Sequence, residues 1–143
     1  ELMIQEFIGS ENEEYTVSAF FNSDSQMKAL LAMRRKLSRQ GFTESAEVVS
    51  PTEMKDIILQ LGKIFKPVGP TNFQFRLDKG KFKLLEINPR ISSSTSIKTA
   101  FGYNECKMAV EYFLEGKEQI QPSVKHGHAI RYVEDYVVYD CNN

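Results

Sequence analysis

Gln74, Glu86, Asn88 and Arg90 carry oxygen and guanidinium chemistry at a spacing that could hold a cation together with the anion it neutralises. In Glu86-Ile87-Asn88-Pro89-Arg90 a carboxylate and an amide stand two residues apart, so on a strand they project from one face, about 7 Å apart. Hard divalent ions such as Mg2+ take oxygen ligands from one or two side chains and leave the other positions to water and phosphate. Gln74 could add an oxygen from a neighbouring strand. A Glu at a strand end followed by Asn-Pro also reads as a turn with a solvated carboxylate, and residue chemistry leaves both readings open.

A β-hairpin must position these groups. Residues 71–77 (TNFQFRL), Asp78-Lys79-Gly80 and residues 81–88 (KFKLLEIN) predict one. Alternation sets Phe73, Phe75 and Leu77 on one face and Asn72, Gln74 and Arg76 on the other. In the second strand Leu85 and Ile87 share a face, and Phe82, Leu84, Glu86 and Asn88 share the opposite one. A three-residue loop with Gly80 left-handed pairs Leu77 with Lys81 and puts Gln74 on the face of Glu86 and Asn88. A two-residue loop pairs Asp78 with Lys81 and inverts Gln74. A joint site therefore predicts the longer turn.

The remaining chain supplies a scaffold. Residues 2–8 (LMIQEFI) read as a buried strand, and residues 15–21 (YTVSAFF) as its hairpin partner. Residues 27–39 (MKALLAMRRKLSR) favour helix by propensity. Ser50-Pro51-Thr52-Glu53 predicts a helix start, with Ser50 as N-cap, Pro51 at the first helical position and Glu53 completing a capping box. Met54, Ile57, Ile58 and Leu61, with Ile64 or Phe65, give it one apolar stripe, and Lys66-Pro67 ends it. Ser92–Ser96 reads as a polar loop. Asn104 caps a last helix through Met108, Ala109, Tyr112 and Phe113, closed by Gly116. Residues 128–139 predict a further strand.

Composition bounds the function. The 143 residues are 41% hydrophobic and 26% charged, which suits one ordinary domain. Eighteen Lys and Arg against 19 Asp and Glu leave no basic surplus for a general nucleic-acid binder. Two cysteines, Cys106 and Cys141, fit a reducing, cytoplasmic compartment. No apolar run approaches the roughly 18–20 residues that span a bilayer. His126 and His128 could share a face as a transition-metal pair, yet ordinary surface histidines explain them. Cys106 lacks a partner base, and Phe73 and Phe75 read as core.

Beyond spacing, the run GPTNFQFRLDKGKFKLLEINPRISSSTSI resembles the metal-binding hairpin of the ATP-grasp superfamily, particularly its carbamoyl-phosphate-synthase-like branch. ELMIQEFIGSENEEYTV is similar to that family's hinge strand and ribose loop. The resemblance implies an α+β fold, the ATP-grasp C-terminal lobe, mainly antiparallel sheet backed by helices over about 51–65 and 104–115. It implies that Gln5, Glu6, Phe7 and Ile8 meet adenine and that Glu14 binds the ribose hydroxyls. Gln74 and Glu86 are implied at a first Mg2+ (or Mn2+), Glu86 and Asn88 at a second, and Arg90 is the implied catalytic residue near the transferred phosphoryl group. The resemblance also turns residues 27–39 into a strand, followed by another over 44–49. Arg34 and Lys36 then share a face, either meeting phosphates or forming a solvated basic edge.

The family's Gly-rich, Lys-bearing lobe and its preceding substrate domain have no counterpart in residues 1–143, which reads as a single C-terminal subdomain of a larger ligase, inactive by itself. Its implied partners are ATP, a small carboxylate or amine substrate and the missing lobe, with neither nucleic acid nor membrane. Residues 91–94 lack the second arginine of carbamoyl phosphate synthases. The expected activity is ATP-dependent joining of a carboxylate to an amine through an acyl-phosphate. The competing class is a non-catalytic nucleotide-sensing or structural module.

Overall fold

A computed structural model describes residues 2, 4–132 and 134–139. After a short 3-10 turn, Glu11–Glu13, come β1 (Glu14–Phe21), β2 (Met27–Leu37), β3 (Thr43–Val49) and α1 (Thr52–Phe65). β4 (Gly69–Asp78), β5 (Lys81–Asn88), α2 (Thr95–Ala100), α3 (Glu105–Phe113) and β6 (His128–Ile130) follow. The six strands form one sheet in the order β5-β4-β1-β2-β3-β6, antiparallel throughout.

Two apolar layers hold this sheet between helices. On one face Val17, Ala19, Phe21, Leu30, Ala32, Phe73 and Phe75 meet Met54 and Ile58 of α1. On the other, Phe20, Ala29, Leu31, Met33, Ala46 and Val48 meet Ile97, Tyr103 and Met108. β1 and most of β2 are buried on both faces, which explains why the sequence MKALLAMRRKL is a strand despite its helix formers: tertiary context outweighs a weak propensity.

Several expectations need correction. Of the expected first strand, residue 2 and residues 4–8 are described and none is in a strand, and Leu2, Ile4 and Phe7 are exposed. β1 already has β2 and β4 as neighbours, so no sheet edge is left beside it for the expected hairpin. At α1, Pro51 rather than Ser50 is the N-cap and no side chain caps the helix; the Ser50 hydroxyl instead pairs with that of Thr52 at 2.7 Å. Residues 95 and 96 leave the expected polar loop to open α2, a third helix. The C-terminal strand is only three residues long, and residues 134–139 are exposed outside any strand. Asn104 caps α3 as expected, its Oδ1 accepting from the Lys107 amide at 2.9 Å. Cys141 lies outside the described residues.

The β4–β5 turn is also corrected. Asp78 pairs with Lys81, so the loop has two residues, Lys79 and Gly80, with φ of +48° and +74°. Two left-handed residues make the hairpin turn whose twist matches the strands. A two-residue loop would invert Gln74, but the register shifts between Gln74 and Phe75: Phe75 faces Leu84 while Gln74 faces Glu86. One extra residue of the Leu84-Leu85 pair forms a bulge, and the strand changes face there. The bulge also corrects the expected faces of β5, since Phe82 pairs with Leu77 and packs with the α1-side core.

Candidate functional site

The face that carries α2 and α3 turns polar where β1, β2, β4 and β5 run side by side. Antiparallel register sets its rows: Arg35, Glu14 and Arg76 in one, Thr16, Gln74 and Glu86 in the next, Ser18, Asn72 and Asn88 in the third. Directly opposed side chains have Cβ atoms about 4.5–5.5 Å apart. The hairpin thus brings together Gln74, Glu86 and Asn88, with Asn72 beside them. Arg90 follows two residues after Asn88, its amide donating to the Asn88 carbonyl at 2.8 Å.

The side chains differ in how far they are committed. Glu86 is exposed on β5. Asn88 is half-buried, and its buried Nδ2 has no hydrogen-bond partner. Asn72 is buried and donates to Thr16 Oγ1 at 2.7 Å and to the Val17 carbonyl at 3.3 Å. Gln74 Oε1 accepts from Arg35 Nη2 at 2.8 Å. The exposed Arg90 donates from Nη1 to the Ile91 carbonyl at 3.2 Å. A carboxylate and three amides in a two-by-two array offer hard oxygen donors of the kind Mg2+ or Mn2+ takes, while the unpartnered Asn88 Nδ2 is a donor that would suit an anionic acceptor beside such an ion. The residues present fit a divalent cation of that class.

Glu14 stands at the neighbouring row and is 5% exposed. It accepts from Arg35 Nε and Nη2 at 3.2 and 2.7 Å on one oxygen, and from Arg76 Nη2 at 3.0 Å on the other. A carboxylate has about four acceptor sites, so one remains. Arg76 extends the network to the first residues, donating to the Ile8 carbonyl at 3.3 Å with its guanidinium 4.5 Å above the Phe7 ring. Gly9 permits this approach: φ is +63°, and a Cβ there would stand 2.4 Å from the Leu77 carbonyl oxygen. Gln5, Glu6, Phe7 and Ile8 are coil, and Phe7 and Ile8 are joined to Glu14 through Arg76 of β4.

Beneath α2, Lys98 is fully buried. Its ammonium donates to Ser18 Oγ, to Ser92 Oγ at 2.5 Å and to the Glu105 carboxylate at 3.3 Å. Burial pulls its pKa from 10.5 down to about 8, against the opposing pull of Glu105. With Arg35, Arg76, Arg90 and Lys83, which lies opposite Arg76, Lys98 gives the polar face five cations to the three carboxylates of Glu14, Glu86 and Glu105, a balance suited to an anionic ligand.

Sequence reasoning missed Arg35, Arg76, Lys98 and Asn72. A signal existed for Arg35, since it alternates in phase with the core residues Ala29, Leu31 and Met33 once β2 is a strand. Arg34 and Lys36, singled out instead, point to the α1 face and pair with Glu47 and Glu44 at 2.7 and 3.5 Å in exposed bridges. His128 lies on β6 opposite Glu47, and no cluster of three or more His, Cys, Asp or Glu suited to a metal exists among the described residues. Cys106 is exposed with a free thiol. No helix among the described residues is long and apolar enough to cross a membrane.

A six-stranded antiparallel sheet with three helices is the architecture of a lobe of the ATP-grasp fold. A family model described as ATP-grasp in the biosynthetic pathway with Ter operon matches residues 1–136, and the chain belongs to that ATP-grasp family. Among solved structures it is similar to N5-carboxyaminoimidazole synthetase from Staphylococcus aureus complexed with ADP, with a TM-score of 0.68 at 12% identity over 84% of this chain and 34% of that one. It is also similar to L-amino acid ligase from Bacillus licheniformis, with a TM-score of 0.54 at 15% identity over 74% and 30%. Pyruvate carboxylase from Rhizobium etli gives 0.60 at 15% identity over 80% and 13%. At these identities the likeness is one of fold, and the chain spans about a third or less of these proteins' length.

Proposed function

We propose that this chain is the ATP- and Mg2+-binding half of a carbamoyl-phosphate-synthase-like ATP-grasp ligase, a single C-terminal subdomain whose Gly-rich lobe and substrate domain complete the same protein. The reaction is the joining of a carboxylate to an amine or similar nucleophile through an acyl-phosphate. One observation carries the reading: Gln74 faces Glu86 and Asn72 faces Asn88 on one sheet face, with Arg90 at its margin. The printed descriptions of similar structures, an ADP complex and an amino acid ligase, agree with it.

In this scheme the backbone groups of Gln5, Glu6, Phe7 and Ile8 hold adenine, and the free acceptor site of Glu14 takes a ribose hydroxyl while Arg35 and Arg76 fix the carboxylate. Gln74 and Glu86 would hold one ion, and Glu86 and Asn88 a second. Mg2+ or Mn2+ supplies neutralisation of phosphate charge when bound. Arg90, the catalytic residue here, pairs bidentately with the oxyanions of the transferred group. The chain's part is positioning and charge, in a cytoplasmic protein consistent with the free Cys106 thiol.

A second reading, a non-catalytic nucleotide-sensing or structural module, is favoured by the engagement of Gln74 Oε1 with Arg35. ADP release by the full-length protein separates the two. Glu86→Gln and Asn88→Ala are each expected to lower it at least a hundredfold, about 2.7 kcal/mol of transition-state stabilisation; turnover at the wild-type rate in both would assign the chain to the second class.

A further inference from the structure

Lys98 is the buried titratable group to which phosphoryl transfer has so far assigned no task. Placing an ammonium in the interior costs several kcal/mol even when it is paired, and filling the space between α2 and the sheet needs no charge. What an ammonium adds is three directed donors. Those of Lys98 reach three different elements: Ser18 on β1, Ser92 in the turn between β5 and α2, and Glu105 on α3. Apart from Arg131, whose Nη2 donates to the Ser93 carbonyl at 3.4 Å, the turn's other hydrogen bonds among the described residues are local. The Arg90 amide donates to the Asn88 carbonyl at 2.8 Å, the Thr95 amide to the Ser92 carbonyl at 3.1 Å, and the Ser92 and Ser94 hydroxyls pair at 2.9 Å.

Lys98 thus fastens the turn to the sheet two residues beyond Arg90. Ser18 in turn shares a row with Asn72 and Asn88, so the same ammonium touches the edge of the oxygen array. The groups that bear electrostatically on it are Glu105, which favours its charge, and Arg35 and Arg90, which oppose it.

We propose that Lys98 is a positioning residue: by holding Ser92 against Ser18 and Glu105 it fixes the turn that carries Arg90 and aims the guanidinium at the transferred phosphoryl group. This rests on the ligase reading. Two readouts on the full-length protein keep the inferences apart: kcat against KM for Mg·ATP, and hydrogen exchange at the amides of Arg90, Ser94 and Thr95. Ser92→Ala and Lys98→Met are each expected to lower kcat at least tenfold with KM within threefold, and to speed exchange at those amides at least tenfold. Because Lys98 acts through Arg90, Lys98→Met with Arg90→Met should be no slower than Arg90→Met alone.

Independent, multiplying effects would overturn the proposal. So would wild-type kcat per folded molecule in Ser92→Ala, which would leave Lys98 a role in stability only. Should Lys98→Met not fold, Ser92→Ala alone and combined with Arg90→Met decides by the same criteria. Wild-type kcat in Arg90→Met would instead remove the role of Arg90 on which the proposal depends. Unchanged exchange in Ser92→Ala beside an impaired Arg90→Met would overturn the role of Lys98 alone.

Discussion

Two residues with displaced proton affinities give the polar face a measurable pH signature. Lys98 is pulled down to about 8 by burial, whereas burial and the Glu105 charge hold the Tyr103 hydroxyl well above its ordinary value of 10.0. Between pH 8 and 10 the unfolded chain therefore binds more protons at Lys98 than the folded one, and stability from this group rises with pH. It is fully present above 10.5 and lost as pH falls through 8. Tyr103 opposes only above about 10, where its folded form keeps a proton that the unfolded form releases. Urea denaturation is expected to show a midpoint that climbs from pH 8 to 10, with the climb attenuated in Lys98→Met; a flat or falling midpoint in the wild type would contradict the assigned burial. Lys98 was hidden in the sequence because its partner Ser18 lies 80 residues away, and the Arg76 partner of Glu14 lies 62 residues away. Glu86 and Asn88 were visible because a two-residue spacing on a strand fixes their common face without any distant contact.

The hairpin shows how an element can reach an expected geometry by another route. Alternation alone put Gln74 beside Glu86 only with a three-residue turn, yet the turn has two residues and the bulge at Leu84-Leu85 restores the shared face. Bulges leave little trace in a sequence of apolar neighbours, so this one could not be read ahead of the structure. β2 was misread by propensity for a related reason: what makes it a strand is burial between β1 and β3, which only the assembled sheet supplies. Deleting Leu85 should close the bulge and keep Phe75 opposite Leu84 and Gln74 opposite Glu86, since both pairs survive the loss of one residue between them. Cross-strand proton contacts between residues 74 and 86 by NMR are expected to persist in the deletion variant. Their replacement by contacts between residues 74 and 87 would mean that a bulge persists without Leu85, and would contradict this reading.

At the scale of the molecule, one sheet separates two functions. Its α1 face is largely apolar, and its exposed Arg34–Glu47 and Lys36–Glu44 bridges add little stability in water. Its other face combines the second core with the charged rows, so the oxygen array is built onto packed strands, with Arg90 in the turn that follows. Such placement would hold the donors within the narrow tolerances that the proposed phosphoryl transfer needs. The chain spans about a third or less of the similar solved structures cited above, and the proposed second lobe would close over this face. The oxygen array is nonetheless complete within the chain, which permits a direct trial. With Mn2+ and ADP added to the chain at millimolar concentration, the side-chain amide signals of Gln74 and Asn88 and the backbone amide of Arg90 should broaden first in NMR spectra, and Glu86→Gln should suppress the broadening. Sharp signals at those three positions while others broaden, or broadening unchanged in Glu86→Gln, would contradict a cation site on the β4–β5 face.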